Sequence, residues 1–230
     1  MNTYSTTDLR FPDSDGKPMS DNTEQFRWIV LIKENLEILF ADDPNVFVAG
    51  DLLWYPVKSR SVGSAAPDAM VVFGRPKGRR GSYKQWEENN IPPQVVFEIL
   101  SPSNTDAEME DKLRFYQLHG VEEYYLYDPD RIELKGWIRQ GNILAPISQI
   151  NGWTSPRLGI EFRLERELVI YRSDGTPFLS SIELNQRAER ARSRAAELER
   201  SLEAERQRSQ QLEEYLRSIG IDPDQIPPNS

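Results

Sequence analysis

The sequence predicts an α/β (α+β) protein: a core of element order α-β-β-β-α-β around a mixed sheet, followed by extra β-strands and a long C-terminal helix. Three observations carry this. DAMVVF at 68–73 and QVVFEIL at 94–100 are short and nearly all apolar, as strands covered on both faces are. Residues 21–40 and 105–120 instead repeat apolar side chains at helical spacing. The stretch 182–220 keeps an alternating three-four spacing, the signature of a helix with a seam.

Residues 1–19 mix proline, serine and aspartate without periodicity and read as an extended arm. Ser20 or Asp21 is placed to cap the first helix, because Asp21 followed by Glu24 has the form of a capping box. Phe26, Ile29, Val30, Leu36 and Phe40 then give that helix an apolar face. DDPN at 42–45 is a turn, and VFVAGDLLWYPV at 46–57 is β-rich with a glycine that marks a bulge. The strands at 68–73 and 94–100 follow, separated by a basic loop that the Pro92-Pro93 pair closes. SPSNT at 101–105 offers caps for a helix to Gly120, with Asp106, Glu108 and Glu110 in its first turns, where the helix dipole favours acids. EYYLYD at 123–128 is the fourth strand of the core.

Further strands are expected at 132–140 and 143–148, joined by a Gly141-Asn142 turn, and through 160–172 before Ser173-Asp174-Gly175. One folded domain therefore spans 20–178, a helix 182–220, and a disordered tail 221–230. In the helix, Ala188, Ala191, Ala195, Leu198, Leu202, Leu212, Leu216 and Ile219 share one heptad track, interrupted by Glu205 and Ser209. Pairing with a second copy as a homodimer is the preferred reading. A helix folded back on its own domain or projecting into solvent is the alternative.

Composition narrows the chemistry. Hydrophobic content of 38% and charged content of 28%, with no apolar run long enough to span a bilayer, describe a soluble protein. The N-terminus lacks the basic-then-apolar form of a signal peptide, so a cytoplasmic location is expected. With no cysteine and one histidine, His119, the chain is without thiolate nucleophiles, disulfides and multi-histidine zinc sites. A metal would be held mainly by oxygen, which favours magnesium, manganese or calcium. The net charge of -9 opposes bulk attraction to nucleic acid. Locally, GRPKGRRGSYK at 74–84 carries Arg75, Lys77, Arg79, Arg80 and Lys84 and no acid, and is either a phosphate-facing loop or a solvated basic one.

Asp68 opens an apolar strand and Glu98 sits inside another. Burying an unpaired carboxylate costs several kcal/mol, so Glu98 implies partners. If the two strands pair, Asp68 and Glu98 meet at one sheet edge, where a divalent cation relieves their repulsion. A glutamate satisfied by backbone amides or an arginine is the plain alternative. On the second helix Met109, Leu113, Tyr116 and Gly120 form the inner stripe, and Lys112 lies about 60° from its centre. It borders the inner face, within reach of the strand bearing Glu98. A surface lysine that snorkels is the alternative there. Tyr116 reads most simply as core, and His119 as a helix-end side chain.

The strand APDAMVVFG, the strand-to-turn FEILSPSN, and DKLRFYQLHGVEEYYLYDPD together resemble the Uma-type family of restriction endonuclease-like proteins, a domain-of-unknown-function group in the PD-(D/E)XK nuclease superfamily. The likeness covers about residues 20–175. It implies a restriction-endonuclease-like core, a divalent metal (Mg2+ or Mn2+) and DNA as substrate, with Asp68, Glu98 and Lys112 as the catalytic set. It further implies Asp68, Glu98 and the Ile99 carbonyl as metal ligands, and the basic loop as a nucleic-acid contact. The superfamily's lysine stands two residues after its acid, where this chain has Leu100. Lys112 resembles the relocated lysine of some branches. Glu37 is the expected first-helix acid, with Lys33 one turn before it. Two functions follow: a metal-dependent endonuclease, or a catalytically weak nuclease fold that acts as an interaction module through its helical tail.

Overall fold

The computed structural model describes residues 11–14, 16, 20–59, 61–220 and 222, so most of the expected arm and tail lies outside the described residues. The chain divides into two units, Met1–Phe178 and Leu179–Ser230. The first opens with α1 (Thr23–Leu39), followed by β1 (Val46–Ala49), β2 (Trp54–Tyr55), β3 (Ala69–Phe73), β4 (Tyr83–Lys84) and β5 (Val95–Ile99). Then come α2 (Asp106–Leu118), β6 (Glu123–Asp128), β7 (Glu133–Gln140), β8 (Ile143–Pro146), β9 (Glu161–Leu164) and β10 (Leu168–Tyr171). α3 (Ser181–Ser218) makes up most of the second unit. Among the described residues no helix is long and apolar enough to cross a membrane.

Six strands form one mixed sheet in the order β1-β3-β5-β6-β7-β8. β5 and β6 run parallel, and the other pairs in this sheet are antiparallel. A parallel pair needs a crossover, and α2 supplies it. On one face α1 presents Trp28, Ile29, Ile32 and Leu36 to Val71, Val95, Phe97 and Tyr125, and the β9–β10 hairpin completes that layer with Phe162 and Ile170. On the other face Met109 and Tyr116 of α2, with Trp54 and Tyr83, pack on Met70, Val72, Val96 and Tyr124. Both faces of β3 and β5 are thus covered, which is why their sequences are continuous apolar runs. Burial of a side chain such as Leu36 or Ile32 stabilises the fold by about 1.5–3 kcal/mol.

The local signals differ from expectation in three places and are narrowed in a fourth. α1 is capped by Asn22, whose side chain accepts from the Gln25 N–H at 2.8 Å, rather than by Ser20 or Asp21. The stretch 46–57 is broken after Ala49, because β1 pairs with β3 whereas β2 leaves that sheet to pair with β4. Residues 160–172 fold back on themselves as the β9–β10 hairpin. Of the caps offered by SPSNT, Thr105 is used, in a complete capping box with Glu108.

Candidate active site

β3 and β5 pair antiparallel with Ala69 opposite Phe97, which brings Asp68, just before β3, beside the Glu98–Ile99 step. The Ile99 N–H donates to Asp68 Oδ2 at 2.6 Å. Two carboxylates therefore enter the same volume, both buried. Burial, and then the charge of Glu98, push the Asp68 carboxyl well above the ordinary carboxylate range, and Asp51 adds to the effect.

Glu98 is satisfied at both oxygens. Lys112 Nζ donates to Oε2 at 2.7 Å, and the Tyr116 hydroxyl donates to Oε1. The relocated lysine expected from the sequence thus reaches the acid from α2. Its side chain is 31% exposed against 3% for Glu98, so the ammonium stands between the carboxylate and solvent. Burial pulls the Lys112 ammonium down, but the charge and hydrogen bond of Glu98 outweigh it and hold the group above its usual value. Tyr116 is raised well above the usual phenol range, by burial first and then by Glu98, and stays a neutral donor.

Asp68 and Lys112 border a cavity of about 500 Å3, whose lining also includes Asp21, Gln25, Asp51 and Phe115, while Glu98 and Tyr116 lie buried behind them. The α1 contribution is Gln25, not Glu37. Gln25 is buried, its Nε2 donates to the Ile99 carbonyl at 2.9 Å, and its Oε1 accepts from the Asp21 N–H at 2.8 Å. Glu37 points outward, half-exposed and paired with Lys33 at 2.9 Å. The signal for Gln25 was available: it interrupts the stripe it shares with Trp28, Ile29 and Ile32. Tyr116 likewise lay on the inner stripe of α2, where an apolar residue would pack equally well. Asp21, freed from capping, accepts hydrogen bonds from Ser101 and Ser103, which hold its carboxyl below the usual range and tie the start of α1 to the loop after β5. Asp51 adopts a left-handed φ of 48° at the cavity, and no feature of the sequence marked it.

The basic loop lies elsewhere. It leaves the end of β3 remote from Asp68, and its first residues hydrogen-bond to Pro44 and Asn45 before β1. Arg75 and Arg80 both pair with Glu88, at 2.7 and 2.6 Å, an acid just beyond the basic window. Arg80 also stacks over the Phe47 ring at 3.9 Å. Lys77 donates to the carbonyls of Phe40 and Ala41. Three of the five expected phosphate contacts are thus occupied in holding the loop. Arg79 is exposed and Lys84 half-buried, and neither forms an ion pair among the described residues.

Among the described residues no three acidic or histidine side chains converge on a point where they could hold an ion. The available donors are Asp68, Glu98 and the Ile99 carbonyl, which retains a second lone pair beside its bond from Gln25. No curated protein matches the chain. It is similar to a solved structure from Anabaena variabilis, described as "a putative nuclease belonging to DUF820", at 14% identity and a TM-score of 0.46, covering 60% of this chain and 75% of that one. The family model described as "Putative restriction endonuclease" matches residues 8–174, more than half the chain, and agrees with the resemblance read from the motifs: the protein belongs to the Uma2 family.

Proposed function

We propose that the chain is a divalent-metal-dependent endonuclease that hydrolyses phosphodiester bonds of DNA. One observation carries this reading: Asp68 lines a cavity beside the buried Glu98, and Lys112, also on the cavity wall, already has its ammonium on Glu98. Asp68, Glu98 and the Ile99 carbonyl would hold Mg2+ or Mn2+, with water completing the shell. Two buried carboxylates that repel each other, with oxygen as the only donor type, fit such an ion. Bound there, the ion supplies a lowered pKa for water and charge against the phosphate.

The remaining roles belong to the chain's own groups. Lys112 swings from Glu98 to donate to the attacking water or to a phosphoryl oxygen as charge develops there. Tyr116 keeps Glu98 in place when Lys112 leaves it. Gln25 orients the Ile99 carbonyl, and Phe115 provides an apolar wall against which a sugar or base can rest. Of the basic loop, Arg79 and Lys84 are left to meet flanking phosphates.

The second reading is an interaction module with a catalytically weak core. It is favoured by the exposure of Leu198, Leu202, Leu212 and Ile219 on α3. Plasmid cleavage and thermal unfolding separate the two. For the nuclease, Mg2+ or Mn2+ at millimolar concentration raises the melting temperature, because a ligand of the folded state alone stabilises it. Cleavage then depends on the ion and disappears in Lys112→Ala. An unchanged melting temperature with no cleavage leaves the interaction module.

A further inference from the structure

We infer that α3 pairs with α3 of a second copy of the chain, in antiparallel orientation and in a register that sets Ala188 against the second copy's Ile219. The inference rests on the helix alone and is independent of the nuclease reading. α3 is a continuous helix with bare apolar side chains, Leu198 at 72% exposure, Leu202 at 53% and Leu212 at 58%, and its C-cap Ile219 is 53% exposed. They lie on one heptad seam with Ala188, Ala191, Ala195 and Leu216, so a single partner helix covers them together.

Size complementarity selects the orientation. The small residues are all in the first half of the seam and most of the large ones in the second. Run antiparallel, the seam places Ala188, Ala191 and Ala195 against Ile219, Leu216 and Leu212 of the second copy. Leu198 then meets Ser209, and Leu202 meets Glu205. Run parallel, each residue would meet itself. Alanine would face alanine and leave the first half thinly packed, and Glu205 would face Glu205 in one layer, a closer like-charge contact than in the antiparallel pair, where the two stand in successive layers about 4.5 Å apart along the axis.

The flanking charges select the same orientation independently. Arg192, Glu199, Arg206 and Glu213 occupy one flank of the seam, and Arg187, Arg194, Ser201, Arg208 and Tyr215 the other. In the antiparallel pair like flanks meet. Arg192 falls beside the second copy's Glu213 and Glu199 beside its Arg206, each contact occurring twice by symmetry. The other flank sets Arg194 by Tyr215 and Ser201 by Arg208, with no repulsion. A parallel pair gains Arg194–Glu199 and Arg208–Glu213 but also sets Arg187 against Arg192. Such flanking pairs choose partner and orientation more than they add strength.

The test uses the full chain, which contains no cysteine, so introduced thiols report unambiguously. L198C and S209C are made singly and oxidised alone and as a mixture. The antiparallel register predicts a disulfide-linked heterodimer from the mixture and little from either variant alone, since two copies of position 198 stand about 16 Å apart along the axis. Self-linkage of L198C as efficient as that of the mixture overturns the orientation. Light scattering supplies the second arm: a dimer at tens of micromolar is expected, and a monomer throughout overturns the pairing itself. R192E should weaken the dimer by about 5-fold or more, and R192E/E213R should restore it. A parallel pair gives the opposite sign, because R192E then relieves the Arg187 repulsion.

Discussion

Two glutamates, Glu98 and Glu123, are almost equally buried, at 2% and 1% exposure, on neighbouring strands of one sheet. They lie on opposite faces and towards opposite ends of the β5–β6 pair, since Val95 aligns with Glu123 and Glu98 with Leu126. Glu123 accepts from the Tyr125 and Ser155 hydroxyls and from the Arg157 N–H, and no cationic side chain pairs with it among the described residues. Every donor on it is neutral and part of the packing, so it holds the 155–158 turn against the sheet. Glu98 has Lys112 and a second acid, Asp68, beside it, and both of these line a cavity. Burial of a carboxylate therefore does not mark a site. What distinguishes Glu98 is a cationic partner that itself lines the cavity and a second buried acid beside it.

The contrast is sharpest in Lys112→Ala, which should lower metal-dependent cleavage by about 100- to 1000-fold, the size of losing a positioned charge donor. The fold should survive, because the lysine opens on the cavity, Tyr116 still donates to Glu98 and water can replace the ammonium. Undiminished cleavage by this variant sinks the assignment. Glu123→Ala should behave the other way. It strips the acceptor from two buried hydroxyls and a backbone N–H, a loss of about 3 kcal/mol or more in urea unfolding, while cleavage by the folded fraction persists. If it instead abolished cleavage with stability intact, the division of roles between the two glutamates would be wrong.

Smaller effects test the support around Glu98. Tyr116→Phe removes one of its two donors without changing the ring, and should cost about 1 kcal/mol in the same denaturation assay. Asp68→Asn carries a sign of its own. The folded-state pKa of Asp68 is raised, so the stability from its bound proton is full below the unfolded value, near 3.8, and is lost as pH rises through the folded value. Asparagine, which still accepts from the Ile99 N–H, escapes that loss. The variant should melt about 2–4 °C higher than the parent at pH 7, with the gain vanishing as pH falls below 4. A variant that melts lower at neutral pH would show that Asp68 is not held against its charge.

Some of this was legible in the residues themselves. DAMVVF and QVVFEIL read as covered strands because strands packed on both faces need no alternation, and the SPSNT run followed by Asp106, Glu108 and Glu110 announced the start of α2 without singling out its cap. The β2–β4 pair was not legible, since two residues matched across the 56–82 excursion leave no periodic trace. Glu37 is the acid that the family resemblance implies for the first helix, whereas the buried helical stripe runs through Gln25, a position not singled out from the sequence. The basic loop misled because its counterion, Glu88, lies beyond the basic run and meets Arg75 and Arg80 only when the chain turns back.

The sequence alone determined the αβββαβ order, the restriction to oxygen ligands, the candidates Asp68, Glu98 and Lys112, and the seam on the last helix. The order and the seam follow from local periods of the backbone and the oxygen ligands from composition, while Asp68, Glu98 and Lys112 as one set are what the family resemblance implies. Only the tertiary structure decided that Lys112 meets Glu98, that Gln25 rather than Glu37 lines the cavity beside Asp68, and that Glu123 is held by neutral donors while Glu98 is held by a lysine on the cavity wall. Side chains far apart in the chain converge through sheet register and helix docking, and no local spacing encodes either.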